Sequence, residues 1–98
     1  MDIIKEANGK DLLIKICGRL DTNSAPQLEQ AVFENTQGVE NLTFDLKEMP
    51  YTSSAGLRVF LKAQKLMNKK GDMHVINACD DVMEVFEITG FSDIINIE

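Results

Sequence analysis

The sequence predicts a single α/β domain over residues 1–98, built on a mainly parallel sheet of four to five strands with three helices. Two observations carry this prediction. Apolar segments on either side of Asn8-Gly9 predict an N-terminal hairpin, because that dipeptide tolerates positive φ at both central positions of a tight turn. After the hairpin, strand-like and helix-like patterns alternate, and strands joined by helices run parallel. The hairpin therefore adds one antiparallel strand at the sheet edge.

The first half of the chain is predicted to hold two strands and a short helix. Residues 3–6 form the first strand, and residues 12–20 form the second, with the alternation of a half-buried strand. The polar run 21–24 is expected to cap a helix over residues 26–36, because its side chains accept hydrogen bonds from free N–H groups. A proline suits the first turn of this helix, and Gly38 ends it.

The middle of the chain is predicted to form a strand and the longest helix. Residues 42–46 include three apolar residues in five and are interpreted as a central strand covered on both faces. The helix spans residues 54–70, and Gly71 follows where a left-handed cap is favoured.

The last part of the chain is predicted to repeat this order. Residues 73–77 form the fourth strand. Asp80 and Asp81 are expected to cap a third helix, which ends at Gly90. Residues 94–97 supply the optional fifth strand.

The composition favours a protein-binding domain of the cytoplasm. The net charge of −6 argues against nucleic acid as a partner, because phosphate binding needs clustered Lys and Arg. No apolar run approaches the roughly 20 residues of a membrane span, and no signal peptide is recognised at the N-terminus. Cys17 and Cys79 lie outside any CxxC pair and are interpreted as buried small hydrophobes in a reducing compartment. We therefore expect neither a nucleic acid nor a membrane as partner.

The second helix has three faces when its residues are placed about 100° apart around the axis. One face is a narrow basic stripe of Arg58, Lys62, Lys65 and Lys69. The opposite face is apolar and is expected to line the core. Leu57 and Leu61 lie between the two, and partial exposure there would allow them to contact a partner. The alternatives are a solvated face for the stripe and the margin of the core for the leucines.

Groups suited to catalysis are scarce in this sequence. His74 is the only histidine, and there is no Gly-rich phosphate loop, cluster of metal ligands or nucleophile elbow. Asp21 and Asp45 lie near predicted strand ends, so a receiver-like or enzymatic carboxylate pair is an alternative to two loop anchors. We predict that the chain is not an enzyme and needs no cofactor.

Ser53 and Ser54 stand where the second helix is predicted to begin. Serine at this position commonly caps a helix. A helix start also tolerates a phosphate, because its free N–H groups and positive dipole end accept negative charge. A phosphate adds about −1.5 to −2 charges, which would repel a partner docked there. Ser54 is thus a candidate phosphorylation site, and Ser53 is a competing acceptor.

Four segments carry a family resemblance when they are taken together and in order. They are residues 18–21 (GRLD), 44–46 (FDL), 51–57 (YTSSAGL) and 86–91 (FEITGF), the last followed by Ile94-Ile95. Over nearly its whole length the chain resembles the bacterial anti-sigma-factor antagonists, which are small STAS domains.

The resemblance implies a non-enzymatic switch. In that family, the unphosphorylated antagonist binds an anti-sigma factor that is also a serine kinase, and the sigma factor is released. The kinase uses ATP to phosphorylate a serine of the antagonist, which ends the binding, and a serine phosphatase reverses the modification. Ser54 falls on the phosphorylated position. The implied partner surface consists of Asp21, Thr22, Asn23, Ser53, Ser54, Ala55, Leu57, Arg58 and Leu61.

Two residues depart from the family pattern. Ser53 stands where the family commonly has Asp, which removes a negative charge beside the acceptor serine. Arg58 stands where the family often has Gly. A second interpretation therefore remains open, in which the chain is a STAS interaction module of a signalling complex that phosphorylation does not regulate.

Overall fold

The computed structural model describes residues 1–98 and contains five strands, three α-helices and one short 3₁₀ helix. The strands are β1 (Asp2–Asn8), β2 (Asp11–Cys17), β3 (Asn41–Asp45), β4 (Asp72–Ile76) and β5 (Asn96–Ile97). The helices are α1 (Ala25–Asn35), α2 (Ser54–Met67) and α3 (Asp80–Ile88), with the 3₁₀ helix at Phe91–Asp93. Every predicted element is present, and the optional fifth strand forms.

The five strands make one sheet in the order β1-β2-β3-β4-β5. β1 pairs antiparallel with β2, and all other pairs are parallel. The predicted mainly parallel sheet with an antiparallel edge strand is therefore confirmed. The second strand is shorter than predicted, because Gly18 adopts a φ of 108° and ends β2.

The hairpin turn is displaced by one residue from its predicted position. Asn8 pairs with Asp11, so the central turn residues are Gly9 and Lys10. Gly9 has a φ of 62°, whereas neither Asn8 nor Lys10 has a positive φ. A glycine at the first central position is typical of a type II′ turn, which matches the twist of the two strands.

The helices cover only one face of the sheet. Connections between parallel strands are almost always right-handed, and here each one moves across the sheet in the same direction, so the helices fall on one side. In β3, Leu42 and Phe44 are buried, while Thr43 and Asp45 on the other face are half-exposed. The prediction that this strand is covered on both faces is therefore wrong.

Three aromatic rings join the sheet to two helices. The Phe60 ring of α2 meets Phe44 of β3 edge to face, with 5.1 Å between the ring centroids, and meets Phe86 of α3 at 5.9 Å. All three side chains are fully buried. Edge-to-face pairs of this kind contribute about 0.5–1.5 kcal/mol beyond the area they bury. Phe60 therefore fixes how α2 lies on the sheet, and with it the position of the first turn of this helix.

Two predicted helix ends need correction. Gly71 does not adopt the left-handed conformation, in contrast to Gly38 and Gly90, whose φ values are 77° and 78°. A Cβ on Gly71 would collide with the carbonyl oxygen of Glu40, so glycine is required there by close packing. The N-cap of α3 is Cys79. The two aspartates that follow it lie within the first turn, where their negative charges interact favourably with the positive end of the helix dipole but do not cap the helix.

The two cysteines are free thiols and are half-buried, not fully buried as predicted. The Cys79 Sγ lies 3.8 Å from the carbonyl oxygen of Met49 and contacts the loop between β3 and α2. None of the helices combines the length and apolar character needed to cross a membrane.

Candidate functional site

The site lies where the loop after β2 meets the loop before α2. Leu20 and Thr52 form an isolated parallel bridge between the two loops. The Leu20 N–H donates to the carbonyl of Tyr51 at 3.0 Å, and the Ser53 N–H donates to the carbonyl of Leu20 at 2.8 Å. These bonds place Asp21, the next residue of the first loop, beside the serines. The structure thus brings together the two segments that the sequence singled out.

Asp21 organises the loop that it begins. Its carboxylate accepts hydrogen bonds from the N–H groups of Asn23 and Ser24, at 3.0 and 3.1 Å. The Ser24 hydroxyl accepts from the Asp21 N–H and donates to the carbonyl of Arg19, at 2.9 and 2.8 Å. The hydrogen bond from the Ser24 N–H, with help from Asn23, the Ser24 hydroxyl and nearby Arg19, lowers the pKa of the Asp21 carboxyl despite some desolvation. Thr22 and Asn23 are exposed on the resulting turn.

Asp45 also anchors a loop. Its carboxylate accepts a hydrogen bond from the Lys47 N–H at 3.0 Å and another from the Asn77 amide at 3.1 Å. The interpretation of Asp21 and Asp45 as loop anchors is therefore confirmed: Asp21 holds its own loop, and Asp45 joins its loop to the segment after β4.

The adjacent serines have different roles in the helix start. Ser53 is the N-cap residue, with extended backbone, and its hydroxyl accepts a hydrogen bond from the Gly56 N–H at 3.4 Å. Ser54 is the first helical residue, its side chain is exposed, and its hydroxyl has no hydrogen-bond partner in the protein. The capping role assigned to this helix start therefore belongs to Ser53. The Ser54 hydroxyl is available to another protein.

Gly56 allows the first turn of α2 to lie against the preceding loops. A Cβ at this position would lie 2.5 Å from Thr52 Oγ1 and 2.7 Å from two carbon atoms of the Leu20 side chain. Leu20 and Thr52 are both buried beneath the turn. The pattern of small residues after the serines therefore reflects close packing that fixes the position of Ser54.

The faces of α2 agree with the sequence prediction except at Leu57. The basic stripe is exposed along its whole length, and the apolar face lines the core. Leu57 is only 5% exposed and belongs to the core, so its predicted partial exposure is wrong. Leu61 is half-buried as predicted. Arg58 is exposed, and Ala55 is half-buried between the site and α1.

A groove of about 320 Å³ runs from the site along the seam between α1 and α2. Its lining residues are Thr22, Ala25, Pro26, Glu29, Ala55, Arg58, Val59 and Lys62. Lys62 and Glu29 form an ion pair across this seam at 2.6 Å. The α1 residues were not predicted as part of the site, because only the packing of α1 on α2 brings them there.

A second feature of the site was also missed. The guanidinium of Arg19 lies 4.3 Å from the centroid of the Tyr51 ring, and both side chains are exposed. Stacking of this kind contributes about 0.5–1 kcal/mol at exposed positions. The matching segments of the sequence contained both residues, but nothing in their spacing indicated that they stack.

The candidates for chemistry in the sequence were a single histidine and two aspartates. No cluster of three or more potential metal ligands occurs in the structure. The single histidine, His74, lies in β4, where its Nδ1 contacts Glu98 at 2.6 Å and the Asn96 amide at 2.9 Å. His74 therefore contacts residues near the C-terminal end of the chain and forms no hydrogen bond with Ser54.

Comparison with known proteins agrees with this picture. The model of the STAS domain family matches residues 2–98. An anti-sigma-B factor antagonist of Listeria monocytogenes is 36% identical over 98 residues, which cover 97% of this chain and 85% of the relative.

Two solved structures share the fold. A putative anti-sigma factor antagonist of Thermotoga maritima superposes with a TM-score of 0.90 at 16% identity, covering 97% of this chain and 84% of the other. The Bacillus cell fate determinant SpoIIAA in its phosphorylated form superposes with a TM-score of 0.77 at 15% identity, covering 99% and 91%. The chain belongs to the STAS domain family, and within it to the anti-sigma factor antagonists.

Proposed function

We propose that this protein is a partner-switching regulator that binds an anti-sigma factor with serine kinase activity and is released when Ser54 is phosphorylated. The protein itself has no enzymatic activity and uses no cofactor. ATP is used by the partner kinase, and a serine phosphatase of the cytoplasm returns the antagonist to its binding state. Membership in the antagonist group supports an anti-sigma factor as partner.

The observation that carries the proposal is the division of roles between the two serines. Ser53 has its hydroxyl engaged as the helix cap, whereas the Ser54 hydroxyl is exposed and unbonded. A kinase can therefore modify Ser54 without breaking a hydrogen bond that holds the helix. Ser53 is the poorer acceptor, because phosphate transfer to it would compete with capping.

The proposed partner surface combines residues of the loop after β2 with the N-cap of α2 and with residues of the helix that follow Ser54. It comprises the exposed loop residues Thr22 and Asn23, the Asp21 carboxylate that shapes their turn, and Ser53, Ala55, Arg58 and Leu61 along α2. Leu57 supports this surface from the core. Because these residues come from two bonded loops and one helix, we expect the surface to keep its shape when the partner leaves.

Phosphorylation of Ser54 would end binding through charge. The phosphate adds about −1.5 to −2 charges at the centre of the proposed surface. A loss of about 2–3 kcal/mol in binding free energy corresponds to roughly 30- to 150-fold weaker affinity. The N-terminal end of α2 tolerates the added charge, so the switch needs no change of fold.

The proposal is tested by incubating the protein with the cognate anti-sigma factor and ATP and measuring phosphate incorporation by intact mass. We expect one phosphate on the wild type and on Ser53→Ala, and none on Ser54→Ala. The matched pair of adjacent serines makes the assignment sharp. A phosphate that persists in Ser54→Ala and disappears in Ser53→Ala would overturn the site.

The second candidate function is a STAS interaction module that phosphorylation does not regulate. It is favoured by Ser53, which stands where the family commonly has an aspartate beside the acceptor. The two functions differ in the effect of Ser54→Asp on affinity for the anti-sigma factor. A partner-switching regulator requires a marked loss of affinity in Ser54→Asp. An unchanged dissociation constant would favour the unregulated interaction module.

A further inference from the structure

We infer that Arg58 is the internal partner of the Ser54 phosphate, to which it donates hydrogen bonds, so that phosphorylation closes an ion pair along α2 and removes a cation from the partner surface. This inference rests on the proposed modification of Ser54, and it adds a second residue that binds the phosphate after the modification. It follows from the spacing of the two residues, from the absence of another partner for Arg58, and from the chemistry of guanidinium and phosphate.

The spacing brings the two side chains together. Ser54 and Arg58 are four residues apart in one continuous helix, so they differ by about 40° around its axis and about 6 Å along it. Both side chains are exposed on this face. In such pairs the favourable order has the negative group N-terminal to the positive one, which is the order here.

Arg58 is free to take this role because the neighbouring charges are already engaged. Lys62, the next cation of the stripe, pairs with Glu29 of α1 at 2.6 Å. The Arg19 guanidinium stacks on Tyr51, and the Asp21 carboxylate accepts hydrogen bonds from its own loop. Arg58 is the cation of the basic stripe that lies nearest to Ser54 along the helix. It forms no ion pair or side-chain hydrogen bond within the protein.

The chemistry of the pair favours arginine over lysine. A guanidinium presents two parallel N–H donors that match two phosphate oxygens, whereas an ammonium acts as a point charge. The doubly charged phosphate is stabilised more than the singly charged form by this contact. The pair should therefore lower the second pKa of the phosphoserine, which is ordinarily about 6.

Closing the pair changes the groove as well as the serine. In the unmodified protein, Arg58 lines the groove between α1 and α2 as an unpaired cation. Once it turns to the phosphate, a partner loses that cation and meets a phosphate in its place. The partner group that Arg58 contacts is therefore expected to be anionic, such as a carboxylate of the anti-sigma factor.

The test uses full-length protein with phosphoserine genetically encoded at position 54, so that no kinase is needed. The second pKa of the phosphate is measured by ³¹P NMR titration. We expect Arg58→Gln to raise it by about 0.4 relative to the wild type, which corresponds to the roughly 0.5 kcal/mol of an i,i+4 pair. Arg58→Lys is expected to fall between the two.

The control is Lys65→Gln, which removes an exposed cation from the same stripe about 16 Å along the helix from Ser54. It should leave the titration unchanged. Equal pKa values in the wild type and Arg58→Gln, or equal shifts for both neutralised variants, would overturn the specific pair. Because the phosphate is supplied by encoding, this outcome is independent of whether a kinase modifies Ser54, which the incubation of the unmodified protein with ATP decides separately.

Discussion

The first turn of α2 approaches the loop after β2 so closely that a Cβ at Gly56 would lie 2.7 Å from both Cγ and Cδ2 of Leu20. The carbonyl of this leucine also accepts the Ser53 N–H, so one residue fixes the helix start through its side chain and its backbone. The position of Ser54 on the surface is therefore set by contacts beneath it.

Gly56→Ala is expected to destabilise the protein by about 1–3 kcal/mol, because the added methyl group overpacks the contact with Leu20. In an unhindered helix the same change would stabilise by up to about 1 kcal/mol. Urea unfolding measures the difference, and Ser54→Ala on the exposed side of the same turn is the control, expected within about 0.5 kcal/mol of the wild type. A more stable Gly56→Ala variant would contradict the close contact.

Ser53→Ala is expected to destabilise the protein by about 0.5–1 kcal/mol, at the lower end for a lost cap because the hydrogen bond to Gly56 is long at 3.4 Å. Ser53→Asp keeps an acceptor at the cap and should recover this loss. Thermal unfolding of the two variants side by side checks the prediction. Equal midpoints for both would show that the cap contributes nothing.

Gly71→Ala is expected to cost at least about 2 kcal/mol, because its methyl group would collide with the backbone of Glu40, which cannot move without distorting the start of β3. Gly38→Ala is the matched control. There is open space around it, so the alanine would lose only about 1 kcal/mol because of the left-handed backbone conformation. Urea unfolding of the two variants compares their free energies of unfolding, and we expect the larger loss for Gly71→Ala. A larger loss for Gly38→Ala would contradict the packing role of Gly71.

Asp21 is expected to make stability depend on pH in acid. Its pKa is lowered in the folded protein, below the unfolded value of about 3.9, so its contribution is complete above about pH 5 and is lost as the pH falls through the folded pKa. The difference in unfolding free energy between the wild type and Asp21→Asn should therefore shrink between about pH 5 and pH 2. Urea titrations across this range measure it, and a constant difference would contradict the lowered pKa.

The order and type of the strands and α-helices were predictable, because hydrophobic periodicity, prolines and cap residues act over short distances along the chain, whereas the 3₁₀ helix was not predicted. The hairpin, the three helices and the basic stripe of α2 follow from such patterns. The exposure of Leu57 was wrongly predicted, because a helical projection gives only the direction in which a side chain points. Whether that side chain is buried depends on which other elements pack on that side of the helix. The uncovered face of β3 was missed for the same reason.

Features that join distant segments were not predictable from one sequence. Gly71 after a helix indicates a left-handed cap, but its contact is with Glu40, far from it along the chain. The two serines were recognised as the start of α2, but the sequence did not show that the helix begins at Ser54 and is capped by Ser53. That register is set by the bond between Ser53 and Leu20, which no local pattern reveals.

The order of the strands in space, which is also their order along the chain, bears on how the protein is made. Each strand after the first pairs with the strand synthesised just before it, so pairing can proceed in the order of synthesis. The hairpin of β1 and β2 closes only a small loop, which favours its early formation. The sheet can therefore be built strand by strand from the N-terminal hairpin onward, in the order in which the chain is made.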